Sequence, residues 1–95
     1  MANIKSITTT GAVTGTGTLS LHGLIFGGFD LNGDGTNTAT LVVRDGSVTG
    51  DILVDTSTIQ GKSIYLPMKT SGSIYYAVGG TGGDAMLYSW ALEVS

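Results

Sequence analysis

Glycine punctuates this chain, and its placement restricts the fold more than any other feature. Sixteen of the 95 residues are glycine. They fall singly or in small groups between short runs of alternating character: Gly15 and Gly17, Gly27 and Gly28, Gly33 and Gly35, Gly46, Gly50, and the stretch from Gly79 to Gly83. Between them the sequence repeats with a period of two, and no stretch of useful length repeats every 3.6 residues. Each glycine inside a helix costs about 1 kcal/mol relative to alanine, and threonine, present 14 times, is also a poor helix former. A helical bundle is therefore disfavoured. Disorder fits no better, because 41% of residues are hydrophobic and the formal net charge is only −3. The expected fold class is all-β: a single antiparallel β-sandwich, jelly-roll-like, with seven to eight short strands at 8–12-residue spacing.

Alternation places the expected strands. Ile4–Thr10 is weakly alternating and threonine-rich, as an edge strand or arm is. Leu19–Phe26 follows and is expected to end at Gly27 and Gly28. Asp30–Asn37 reads as a loop with two turn signals, Asn32-Gly33 and Asp34-Gly35. Thr38–Arg44 is the best strand, with Ala39, Leu41 and Val43 on one face. Asp45-Gly46 is a hairpin turn, since glycine supplies the positive φ such a turn needs. Asp51–Asp55, Ser63–Met68 with Pro67 at its exit, and Ser73–Val78 come next. Ala85–Val94 closes the chain. Its even-numbered face (Met86, Tyr88, Trp90, Leu92, Val94) is large and apolar, so that face is expected to line the core, with Trp90 near its middle or at a subunit interface. Residues 1–17 are assigned as a Thr/Gly-rich N-terminal arm or edge strand, and 18–95 as the sandwich domain.

Composition excludes several functions. Cysteine is absent, so neither a disulfide scaffold nor a Cys-ligated zinc site is available. Four cationic residues, scattered at Lys5, Arg44, Lys62 and Lys69, face seven acidic ones. No nucleic acid partner is expected. No apolar run approaches the roughly 20 residues of a membrane-spanning helix, and no apolar leader follows Met1. The chain is thus expected to fold in a cytoplasm, with no membrane partner.

No catalytic set is apparent. His22 is the single histidine, and Ser-His chemistry would need it to meet a serine and an orienting carboxylate, with no companion motif in sight. Gly61-Lys62-Ser63 resembles the end of a phosphate-binding loop, but Thr56 stands where the upstream glycine belongs and strand-like residues follow. The chain is therefore expected not to be an enzyme and to need no cofactor. The exception weighed is calcium. Asp30, Asn32 and Asp34 offer oxygen donors at alternate positions with Gly35 sixth, like the first half of an EF-hand loop. Leu41 occupies the twelfth position, where a bidentate glutamate belongs. The competing reading is a loop that satisfies its own backbone through Asx-turns. Exposed aromatics on a β-sandwich can also bind sugars, and Tyr65, Tyr75 and Trp90 are the candidates.

Two stretches carry a family resemblance. Residues 39–53, ATLVVRDGSVTGDIL, join an alternating strand, an Asp-Gly-Ser turn and a second apolar strand. Residues 72–88, GSIYYAVGGTGGDAMLY, join two more strands through a Gly-Thr-Gly turn. From about Thr38 to the C-terminus the pattern is similar to small β-sandwich structural proteins of tailed bacteriophage particles. The resemblance implies a non-enzymatic virion component made in the host cytoplasm, most simply a capsid decoration (cement) protein that braces the head lattice. It implies a homotrimer as the self-associated form and the major capsid protein, or another virion protein, as partner. A tail, neck or fibre component is the alternative within the virion; a carbohydrate-binding module, with or without the aid of calcium, is the alternative outside it. Expected contact residues are Ile4 and Ile7 in the arm, which can add a strand to a neighbour's sheet, and Phe26 and Phe29, which adjacent glycines would leave exposed.

Overall fold

The computed structural model describes residues 2–21 and 25–94, with side chains for 11–21 and 25–89. It is all-β. Nine strands occur among the described residues: β1 (Ala2–Val13), β2 (Gly15–Ser20), β3 (Ile25–Asn32), β4 (Ala39–Asp45), β5 (Ile52–Thr58), β6 (Gly61–Ile64), β7 (Met68–Lys69), β8 (Ser73–Gly79) and β9 (Asp84–Val94). One sheet runs β1-β9-β3-β6, with β7 also paired to β3; the other runs β2-β8-β4-β5. Every pairing is antiparallel.

The pairs nest. β1 pairs β9, β2 pairs β8, β3 pairs β6 and β7, and β4 pairs β5. A long antiparallel hairpin with that nesting, rolled so that β3 meets β9 and β4 meets β8, is a jelly roll. The count exceeds the expected seven to eight because two expected strands are split: Leu19–Phe26 is divided between β2 and β3, which lie in different sheets, and Ser63–Met68 between β6 and β7. β6 and β7 lie end to end along one edge of β3, separated by Tyr65, Leu66 and Pro67. Proline has no N–H to give a ladder, so the interruption falls where Pro67 stands.

The core lies between the two sheets. Phe26, Phe29 and Leu31 of β3 and Ala85 and Leu87 of β9 meet Ala39, Leu41 and Val43 of β4, Val54 of β5 and Ile74 and Val78 of β8. The large side chains of this set bury about 1.5–3 kcal/mol each of apolar transfer free energy. The inward faces of β4 and β8 are those that alternation indicates.

Two expectations are corrected by β3 and β9. Gly27 and Gly28 do not end a strand; they form a bulge inside β3, where the register with β9 shifts between Phe26 and Gly28. The extra residue lets Phe26 and Phe29, three apart, point into the same core. In β9 the odd-numbered residues Ala85, Leu87 and Ser89 are buried, and Met86 and Tyr88 on the even face are half-buried on the other side of the sheet. The core side of β9 thus carries Leu87 between two small residues, Ala85 and Ser89. The side chain of Trp90 lies outside the described residues.

Gly28 deserves its glycine. Its φ is +120°, and an added Cβ would sit 2.1 Å from the Ile64 carbonyl oxygen and 2.7 Å from the Tyr65 Cα. The backbone at the end of β6, running along the edge of β3, lies directly against this point.

The longest axis of the molecule is 47 Å, against 25 and 17 Å for the others. β9 accounts for part of that length. Its described pairing with β3 ends at Ile25 opposite Trp90. Beyond it, Ala91, Leu92, Glu93 and Val94 pair with Ser6, Ile4, Asn3 and Ala2 of β1. Among the described residues, β1 thus pairs with β9 along nearly the whole length of both strands.

Candidate functional site

The outer face of the β1-β9-β3-β6 sheet carries the most organised polar cluster of the molecule. Leu31 points inward, so its neighbours Asp30 and Asn32 point outward. Asp30 pairs with Ser63 on β6 and with Met86 on β9. One carboxylate oxygen of Asp30 accepts hydrogen bonds from the Ser63 hydroxyl and the Tyr65 phenol. The other accepts from the Tyr88 phenol. A single carboxylate therefore ties together β3, β9 and the segment that leaves β6.

The two phenols bring their rings together. Tyr65 and Tyr88 have ring centroids 5.5 Å apart, tilted by 59°, a favourable aromatic geometry. Tyr88 lies opposite Gly28 in the ladder. Tyr65 is 59% exposed, and Ile64 and Leu66 beside it are also exposed. On the same face Asn32 donates from Nδ2 to Asp84 Oδ1 at 2.9 Å.

The electrostatics follow from these contacts. Partial burial pushes the Asp30 carboxyl upward, but the hydrogen bonds from Ser63, Tyr65 and Tyr88 outweigh it and leave the group below its ordinary value. The Tyr88 phenol is held well above its ordinary value, first by its bond to Asp30, then by desolvation and by the neighbouring charge. The charged form of the carboxylate and the protonated form of the phenol support each other.

The expected calcium loop is not assembled as a ligand set. Asp30 lies in strand β3 with its oxygens given to hydroxyl groups. Asn32 bonds to Asp84. Asp34 Oδ1 accepts from the backbone N–H of Thr36 at 2.8 Å and of Asn37 at 2.7 Å, and its Oδ2 accepts from Asn37 Nδ2 at 2.9 Å. Those bonds, led by the one from the Asn37 N–H, hold its carboxyl below the ordinary value. This is an Asx-type turn closing on itself. Among the described residues, no group of three or more His, Asp or Glu is placed to hold a metal ion.

The remaining sequence candidates separate. Phe26 and Phe29, expected at a subunit contact, are 0% and 1% exposed, because the β3 bulge turns both into the core. Ile4 and Ile7 lie on β1, opposite Leu92 and Trp90 of β9; their side chains lie outside the described residues, as does His22 altogether. Lys62 belongs to strand β6, not to a phosphate loop, and its Nζ donates to Thr56 Oγ1 of β5 at 2.9 Å, bridging the two sheets at one side. Of the aromatic candidates, Tyr65 joins the Asp30 cluster and Tyr75 is half-buried on β8. Asp30 as a hub was missed by sequence reasoning. Ser63 and Tyr65, two apart, share a face by alternation, but nothing in the sequence pairs β6 with β3.

Compared with known proteins, the chain matches no family model, no curated protein and no solved structure.

Proposed function

We propose that the protein is a non-enzymatic virion structural subunit, a capsid decoration protein that acts through contacts with copies of itself and with the shell. The observation that carries this reading is the jelly-roll nesting of strands, with β1 at an edge of one sheet. Jelly rolls serve in viral capsid and lectin domains, and this support is by fold-level analogy. The edge of that sheet along β1 presents backbone groups to which a neighbour's strand can add. The polar cluster on the outer sheet face suits this role better than catalysis: every buried side-chain nitrogen and oxygen of the described residues is already partnered.

The test is reconstitution. Purified protein is expected to be a trimer by light scattering and to bind decoration-free phage heads, raising the temperature at which they rupture. A monomer that leaves the heads unbound would overturn the proposal. Binding to tails or necks alone, seen by immunolabelling, would move the protein elsewhere in the virion and refute the decoration role.

A further inference from the structure

The Asp30 cluster has an unusual hydrogen-bonding character that follows from proton counting. An ionised carboxylate only accepts, so the hydroxyls of Ser63, Tyr65 and Tyr88 must each donate their single proton to Asp30. Each oxygen then turns only lone pairs towards anything that approaches. The carboxylate has about four acceptor positions and uses three of them here, so it retains one as well. The cluster is thus an array of acceptors with no donor of its own, bearing one negative charge. Beside it stands the Tyr65 ring, 59% exposed and tilted at 59° against Tyr88. The hydroxyl bonds fix both rings, so little side-chain freedom remains to be lost on binding.

A ligand for this surface must supply donors, carry positive charge and offer a flat face to an aromatic ring. A sugar hydroxyl is both donor and acceptor and is neutral. An ammonium is charged but not flat. A guanidinium has five N–H donors and no acceptor, is always charged, and stacks on aromatic rings. We infer that the outer face at Asp30, Tyr65 and Tyr88 is a docking site for an arginine side chain presented by a partner protein. Charge complementarity supports this occupant, since the hydrogen-bond partners of Asp30 are neutral hydroxyls and the chain carries a net charge of −3. The chain's own arginine, Arg44, lies on the other sheet and donates from one guanidinium nitrogen to the Gly50 carbonyl at 3.1 Å, so the guanidinium comes from another chain. The inference rests on the side-chain cluster and is independent of any role in the virion.

The test is an NMR titration of the full chain with N-acetyl-arginine amide, read at the ring signals of Tyr65 and Tyr88. Two comparators are titrated alongside: the citrulline analogue, which replaces the guanidinium by a neutral urea of the same shape, and methyl glucoside. The arginine probe is expected to shift both rings saturably, with a dissociation constant in the millimolar range, and the citrulline analogue to bind about tenfold or more weaker. Asp30→Asn should remove that discrimination. Should Asp30→Asn fail to fold, Tyr65→Ala, at an exposed position, should still abolish saturable binding. Equal binding of arginine and citrulline probes would overturn the inference. So would saturation by methyl glucoside in preference to arginine, which would assign the face to a sugar, and so would the absence of saturable shifts at either ring.

Discussion

Replacing Gly28 by alanine tests the close approach of the β6 end to β3 on which the polar cluster depends. Two costs add. The φ of +120° belongs almost solely to glycine, and holding another residue there costs about 1–3 kcal/mol. The new Cβ would also stand 2.1 Å from the Ile64 oxygen, so the backbone after β6 must retreat by at least about 1.3 Å to reach the 3.4 Å of ordinary contact. The obstacle is backbone, which cannot rotate aside, and overpacking of that kind costs about 1–3 kcal/mol more. The sum, about 2–6 kcal/mol, is a large part of the roughly 5–14 kcal/mol by which a chain this long is stable. With a urea slope of about 1–1.5 kcal/mol/M, the unfolding midpoint should fall by at least about 1.3 M. Gly35→Ala is the control. Its φ is +88°, but nothing lies within 4 Å of the added Cβ, so it carries the conformational cost alone, about 1–2 kcal/mol. Equilibrium unfolding of the two variants side by side isolates the steric part. Equal midpoints would refute the close approach of Ile64 and Tyr65 to Gly28.

Two further outcomes follow from the outer face. The folded-state carboxyl of Asp30 lies below its unfolded value, so its contribution is fully present above about pH 4 and is lost as the pH falls through the depressed folded value. Urea midpoints of the wild type and Asp30→Asn should therefore converge between about pH 5 and pH 2.5; a gap that stays constant would mean that the hydroxyl bonds do not favour the charged form. Calcium at about 5 mM should move the thermal midpoint by less than about 1 °C, because Asp30, Asn32 and Asp34 are committed to separate partners; a rise of several degrees would show that the loop rearranges around the ion.

Much of the fold was readable because single-faced strands announce themselves. In β4 the residues Ala39, Leu41 and Val43 alternate with polar or half-buried neighbours, and the hairpin after Asp45 opens with Gly46 at φ +79°. Local chemistry sufficed there. It did not suffice for β9, which lies between β1 and β3 and has substantial side chains on both faces. The larger side chains lie on the outer face because Tyr88 sits opposite Gly28 and reaches Asp30, contacts made by residues 58 positions apart in sequence. The paired glycines of β3 misled for a similar reason. In isolation they resemble a strand end, whereas in the sheet they are a bulge that brings Phe29 and Leu31 back into register with the core. Asp30 then lies within a strand although turn signals follow it closely, and the hydroxyls that surround it come from two other strands' neighbourhoods.

The nesting of strands also sets a timetable. β1 is synthesised first, and its ladder partner β9 lies beyond the 70 residues numbered 14–83. At about 5–20 residues per second, a ribosome needs roughly 4–14 s to cover that interval. Throughout it, β1 has no sheet to join. Its sequence, ANIKSITTTGAV, suits the wait: threonines hold an extended backbone without an apolar stripe, and Lys5 and Gly11 interrupt the run. The threonine that looked like a mere marker of β structure is, on this view, what keeps an early strand from finding the wrong partner before the right one exists.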